Sequence, residues 1–234
     1  MKLNQNCEIC NNKECFLFEH ITYELHKQLD NKMSYTRYKK NQQIIKEGDT
    51  VMGMYFIKKG KVKVYKESNY REQIIRLAKD GEILGHRGLG GDNTYPISAT
   101  TLEDSEICFI EQGVFFKLMK NSTELSIKMM LFYADELRKT EIRLRNMAVM
   151  TVRERIAEAL LLMKEAFGSK NGQETLLDVE LSRKEIAELA GTYSEQASRY
   201  ITEFKEDNIL KLDGKKIIIQ QSDKLVKIIE NYAS

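Results

Sequence analysis

Between about Ser34 and Ile110 the apolar residues come in short runs rich in β-branched and aromatic side chains: QIIK, GMYFI, KVKVY, EQIIRLA and SEICFI. Turn signals separate them, EGD at 47–49, KKGK at 58–61, KDGE at 79–82 and GGDN at 90–93. Many short strands broken by glycine turns predict an antiparallel barrel or sandwich. In KVKVY, Val62 and Val64 flank Lys63 with the in–out alternation of a half-buried strand. Before this region, Phe18, Ile21, Leu25 and Leu29 keep helical spacing. After Gly113 the period becomes helical and stays so. Ile127, Met130, Ala134, Leu137, Leu144 and Ala148 fall on a heptad seam whose one charged member is Glu141. The flanking DELRKTEIRLRN is charged, as the solvated sides of a coiled coil are. The seam favours self-association over a long amphipathic helix lying on its own barrel.

The C-terminal third holds the most specific pattern. Ser182 and Glu185 form a capping box that opens a helix with Ile186, Leu189 and Ala190 on its apolar side. Gly191 ends that helix, and a second starts soon after with Thr192 or Ser194 as its cap. Ala197, Ile201 and Phe204 are its inner face. ILKL-DGKK-IIIQ then reads as a β-hairpin around Asp213 and Gly214. Two short helices at a glycine turn followed by a hairpin make a winged helix-turn-helix. Glu195, Ser198 and Arg199, at i, i+3 and i+4, share the face opposite Ala197 and Ile201. A carboxylate accepts from cytosine's exocyclic amine and a guanidinium forks onto the O6/N7 edge of guanine.

Composition narrows the class. Of 234 residues, 42% are hydrophobic and 31% charged, the profile of a soluble globular chain. No apolar run reaches bilayer length, and MKLNQNCEIC lacks the apolar core of a secretory signal. The expected compartment is the cytoplasm, with no membrane partner. Net charge is only +2, and from Val149 onward 13 Lys and Arg stand against 15 Asp and Glu. DNA binding must therefore come from a local arrangement of charge. No nucleophile–base pair, metal-hydrolase spacing or phosphate-cradling glycine loop appears, so an enzyme is not expected.

Three of the four cysteines, Cys7, Cys10 and Cys15, crowd the N-terminal arm as C-x2-C-x4-C, and Cys108 stands far off in SEICFI. In a reducing compartment such a cluster points to metal or redox chemistry rather than disulfides. Alternation places Glu106, Cys108 and Ile110 on one strand face, so Cys108 is expected to be reachable beside a charge. The residues alone leave open an iron–sulfur cluster, a four-cysteine zinc site or vestigial thiols in a DNA-binding regulator whose barrel responds to an unidentified small molecule. An iron–sulfur electron carrier or a zinc-stabilised scaffold is the reading from another class, but neither needs a polar reading face on a winged helix.

Over essentially its whole length the chain resembles the CRP/FNR superfamily of bacterial transcription regulators. IIKEGDTVMGMYFIKKGKVKVY and LAKDGEILG are similar to that family's cyclic-nucleotide-binding-type barrel. The heptad helix sits where the family has its dimer helix, and the E-x-x-S-R of Glu195, Ser198 and Arg199 resembles the FNR branch, with Ser194 where the CRP branch usually has Arg. The resemblance implies an α+β fold: an antiparallel double-stranded β-helix or jelly roll, a dimerisation helix and a winged helix-turn-helix. Its segments are an arm at 1–20, a sensor barrel at 21–120, the dimer helix at 121–148 and the DNA-binding domain at 149–234. It implies a homodimer on palindromic DNA, half-sites resembling TTGAT, and RNA polymerase as a partner. A 4Fe–4S cluster on Cys7, Cys10, Cys15 and Cys108 is implied by similarity to FNR, although the gap before the third Cys is one residue shorter here than in the best-known FNR sensors. cAMP is disfavoured, because Pro96 and Ile97 stand where the phosphate-binding Arg-Ser pair falls in cAMP-binding members. His86 and Arg87 replace the expected Glu-Leu, either as an anion-binding pair or as a surface loop pair.

Overall fold

A computed structural model describes residues 15–17, 21, 29, 32–68, 71–171 and 174–230. Cys7, Cys10 and most of the helix expected over Phe18–Leu29 lie outside them. Two compact units result, one of residues up to 66 with 78–137, the other of 67–77 with 138–234.

Eight strands come first along the chain, β1 Met33–Tyr38, β2 Gln43–Ile45, β3 Gly53–Lys59, β4 Val62–Glu67, β5 Glu72–Ala78, β6 Ile83–Leu84, β7 Ser98–Thr101 and β8 Ser105–Glu111, and of these β5 as far as Leu77 belongs to the second unit. They pair as two antiparallel sheets, β1-β8-β3-β6 and β2-β7-β4-β5. Val62 and Val64 are buried with Lys63 between them half-exposed, as the alternation predicts. Strand β8 lies between β1 and β3, in a register that sets Tyr35 and Phe56 on either side of Cys108. Directly opposed residues in antiparallel strands project to the same side. The Phe56 side is covered by helix α1 (Gln112–Asn121), where Phe115 meets the Phe56 ring at 6.2 Å. The other side turns Tyr55 and Phe109 together at 4.9 Å, with Tyr95 beyond Tyr55 at 6.5 Å. Ser122 closes α1 by donating its backbone N–H to Leu118, and its Oγ accepts from the Leu125 N–H. That side-chain acceptor starts α2, Thr123–Val149. The boundary between the two units falls inside this helix, because the helix runs on without a linker.

The second unit opens with α3 (Val152–Phe167), whose capping box is Thr151 and Glu154. Ile156, Leu160 and Met163 bury its inner stripe. Strands β9 (Gly168–Asn171) and β10 (Glu174–Leu177) follow, then α4 (Arg183–Ala190), α5 (Ser194–Glu206), β11 (Leu210–Asp213), β12 (Lys216–Ile219) and α6 (Ser222–Ile228). The sheet is β11-β12-β10-β9, so the predicted two-stranded wing is half of a four-stranded sheet. GSKN carries no apolar residue, which is why β9 is invisible to a periodicity argument. It pairs through its backbone with β10, Ser169 opposite Leu176 and Lys170 opposite Thr175. The β11–β12 turn is Gly214–Lys215, with Gly214 at φ 58.

One side chain ties three parts of this unit together. The Arg143 guanidinium donates to the carbonyls of Ile75 at 2.9 Å, Ile74 at 2.7 Å and Leu189 at 2.5 Å. It thus joins α2, β5 and the C-terminal turn of α4, whose last carbonyls have no partner within the helix. Burial pulls the Arg143 pKa down, and Glu158 opposes that shift. Beside it, Gln73 Nε2 donates to the Glu188 carbonyl at 2.5 Å, and Arg155 donates to the Gly191 carbonyl at 3.3 Å. Removing the Arg143 fork leaves three carbonyls without their charged donor. Arg143→Ala should lower the stability of this unit by roughly 2–4 kcal/mol. Arg143→Lys should recover only part, because a compact ammonium lacks the planar fork that spreads the guanidinium donors over the three carbonyls. Urea unfolding checks this, and a loss of under about 0.5 kcal/mol for the alanine variant would contradict it.

Candidate nucleic-acid interface and sensor site

The helix-turn-helix forms as its local sequence dictates. The Ser182 side chain accepts from the Glu185 N–H at 3.1 Å, and Glu185 accepts back from the Ser182 N–H at 2.9 Å. Gly191 ends α4 at φ 64, a left-handed conformation natural to glycine. A Cβ there would also stand 2.4 Å from the Met147 methyl. The N-cap of α5 is Tyr193, not Thr192 or Ser194, and its side chain makes no capping bond. Thr192 is buried, and its backbone N–H donates to the Ala187 carbonyl at 2.9 Å in the turn that ends α4.

Ala197, Ile201 and Phe204 are fully buried and seat α5 on the unit's core. Glu195 and Arg199 point to solvent from the opposite face, with Ser194 and Ser198 half-exposed beside them. The Arg199 guanidinium lies 4.4 Å from the Tyr200 ring centroid and donates to the Tyr200 hydroxyl. The spacing brings Ser194, Glu195, Ser198 and Arg199 onto one exposed surface. It gave no sign of Tyr193, which is 67% exposed at the head of that surface.

In the first unit the structure corrects two expectations. Cys108 is not reachable: it is 1% exposed. Strand β8 has a neighbour on each edge and cover on each side, so sharing a side with Glu106 does not expose it. Glu106 sits at the strand's start, where Lys58 on β3 and Arg37 on β1 draw its carboxylate outward at 2.9 and 3.1 Å. The hydrogen bond and charge of Lys58, then Arg37, hold that carboxyl below its ordinary range. His86 is likewise no surface residue, being 3% exposed. Gly85, at φ 82, turns the chain into a single 3-10 turn, His86–Gly88. That turn sets the imidazole edge-on to Phe132 at 4.9 Å and near Tyr133 at 5.8 Å, both on α2. Arg87 pairs with Glu136 of α2 at 2.9 Å, and the Tyr133 hydroxyl donates to the His86 carbonyl at 2.6 Å. Ile97, at one of the phosphate-binding positions of cAMP-binding members, is buried.

The arm reaches the same layer. Cys15 is 3% exposed and Leu17 fully buried. The Phe16 N–H donates to the Gly81 carbonyl at 2.9 Å, and the Gly81 N–H to Ile57 on β3 at 2.7 Å. The arm is thereby tied to the strand next to β8. The Phe16 ring meets Phe132 edge-on at 5.2 Å. Neither Cys15 nor Cys108 is in a disulfide. Along α2, Ile127, Met130, Leu137 and Leu144 are 49%, 62%, 61% and 71% exposed, and Ala134 is exposed with them. So much apolar area in water on one helix marks an uncovered contact surface.

The cyclic nucleotide-binding domain family model matches residues 35–122, and the Crp-like helix-turn-helix domain model matches residues 154–228. Among curated relatives, the CRP-like cAMP-activated global transcriptional regulator of Mycobacterium tuberculosis is 24% identical over 79% of this chain and 83% of its own. The fumarate and nitrate reduction regulatory protein of Salmonella typhimurium is 25% identical over 95% of this chain and 90% of its own. Among solved structures, FixK2 from Bradyrhizobium japonicum superposes with a TM-score of 0.73 at 22% identity, over 84% of this chain and 96% of that one. With both domain models matched and the strands, long helix and winged unit in that order, the chain belongs to the CRP/FNR superfamily of DNA-binding transcription regulators.

Proposed function

We propose that this regulator is a homodimer of the FNR-like branch that responds to oxygen or redox state through a 4Fe–4S cluster held by Cys7, Cys10, Cys15 and Cys108. One observation carries the reading. Cys108 faces the helix-covered side of β8, and the arm bearing Cys15 is bonded to the adjoining strand on the way to α2. The two described thiols suit such a group, being buried, outside any disulfide and on sequence segments brought to one sheet. A bound cluster supplies a redox-labile link that air breaks. The chain's own residues supply the rest. Cys7, Cys10, Cys15 and Cys108 would hold the arm down when ligated, keeping Phe16 on Phe132, which packs on His86 within the contact between α2 and the barrel. The exposed seam of α2 is the dimer contact, so the arm acts on the helix that spaces two α5 recognition helices. The name of a Bacillus subtilis relative, the anaerobic regulatory protein, supports anaerobic control. The buried Ile97 and the Arg87–Glu136 pair give a cyclic phosphate no unengaged guanidinium there, which speaks against cAMP despite the Mycobacterium relative's name. Cytoplasmic DNA and RNA polymerase are the partners.

Anaerobically purified protein should contain iron and sulfide, and Cys108→Ser should lose both as completely as Cys15→Ser, because a four-thiolate cluster lacking one ligand is labile. Iron-free protein, zinc in place of iron, or a full cluster in Cys108→Ser overturns the sensor reading. Leu137→Glu places like charges in the seam and should yield monomers by light scattering; an unchanged dimer mass would refute that contact. On TTGAT-like half-sites, Arg199→Ala should cost about 1–3 kcal/mol and relax discrimination at one guanine. Selection from random DNA that returns TGTGA-type sites removes the branch assignment.

A further inference from the structure

We infer that Arg71, on the β4–β5 hairpin outside the helix-turn-helix, is a DNA-backbone contact that extends the recognition surface, an inference resting on α5 being the recognition helix. The Arg71 guanidinium lies 5.6 Å from the ring centroid of Tyr193. Tyr193 immediately precedes α5, and at 67% exposure it spends an aromatic ring on solvent rather than on the core. The N-terminal part of a recognition helix is the part that meets base edges, and side chains around it meet the flanking phosphates.

Arg71 is presented there by a firmly held segment. Its carbonyl accepts from both the N–H and the hydroxyl of Ser68, at 3.0 and 2.9 Å. Two residues on, Gln73 is bonded to the Glu188 carbonyl, and the next carbonyl, that of Ile74, takes the Arg143 guanidinium. Tyr193 holds one face of the guanidinium, and the five N–H donors of an arginine lie in its plane, open to an oxyanion. Arg71 is exposed, and among the described residues no carboxylate forms an ion pair with it. Duplex DNA, which this family of chains binds, supplies the matching charge. The contact reads no base, so its signature is electrostatic.

The test is a salt titration of full-length protein on a palindromic site and on random-sequence duplex, for wild type, Arg71→Gln, Arg71→Lys and Arg199→Ala. Removing one phosphate contact per subunit should reduce the slope of log K against log salt by about 0.9 per bound subunit. Arg71→Gln should show that reduction on both duplexes, with the preferred sequence unchanged. Arg71→Lys should keep the wild-type slope. An unchanged slope in Arg71→Gln overturns the proposal, whether or not transcription falls, and so does a loss confined to one base-pair position. Arg199→Ala is the independent control. If it leaves base discrimination intact, the reading of α5 fails, and that failure is distinct from any result at Arg71.

Discussion

Strand β8 has to satisfy two apolar layers at once. It lies hydrogen-bonded between β1 and β3, so its backbone is paired on both edges, and along its middle, Ile107 to Ile110, its side chains are apolar on both sides. Phe109 on one side joins the Tyr55 and Tyr95 rings, while Cys108 and its register partner Phe56 on the other lie under Phe115 of α1. A cysteine at that point behaves as a small hydrophobe in the folded unit, yet retains the strand's one thiol, a ligand for soft metals and iron–sulfur clusters. Everything proposed about sensing depends on this double burial, because it places a thiol on the side of the sheet that α1 covers.

The architecture was largely legible in the sequence because it follows periodicity and punctuation. KVKVY alternates and does form β4. Ser182 with Glu185 and the break at Gly191 do bound α4, and Asp213-Gly214 does mark a hairpin. What escaped had no local signal. GSKN pairs through its backbone alone, so no side-chain period announces β9. The cap of α5 falls at Tyr193, between the two hydroxyl residues, and makes no side-chain capping bond. The burial of Cys108 depends on its neighbours in the sheet, which alternation along one strand cannot report. Likewise His86 looked like a loop residue until the Gly85 turn drove it against Phe132.

The candidate sites divide along the same line. Glu195, Ser198 and Arg199 were readable together because helical spacing alone puts them on one face. Arg71 and Arg143 were not, since the first meets Tyr193 and the second meets Leu189 only through tertiary packing. Both units use the same physical device, a loop or helix end fixed by donors to backbone carbonyls. Phe16 bonds Gly81 in the first, and Arg143 gathers Ile74, Ile75 and Leu189 in the second. Such bonds constrain backbone position without depending on side-chain identity at the acceptor, and only the second, whose donor is a side chain, can be removed by a substitution at the donor.

The central claim is that the state of the cysteine arm is felt at α2 through Phe16, Phe132 and His86. Amide hydrogen exchange of anaerobic and air-exposed protein, resolved over residues 15–17 and 127–137, tests it most directly. Air should raise exchange in both segments together, and Phe132→Ala should leave the change in the arm but remove it from 127–137. Exchange that rises in the arm while 127–137 stays as protected as before would contradict it.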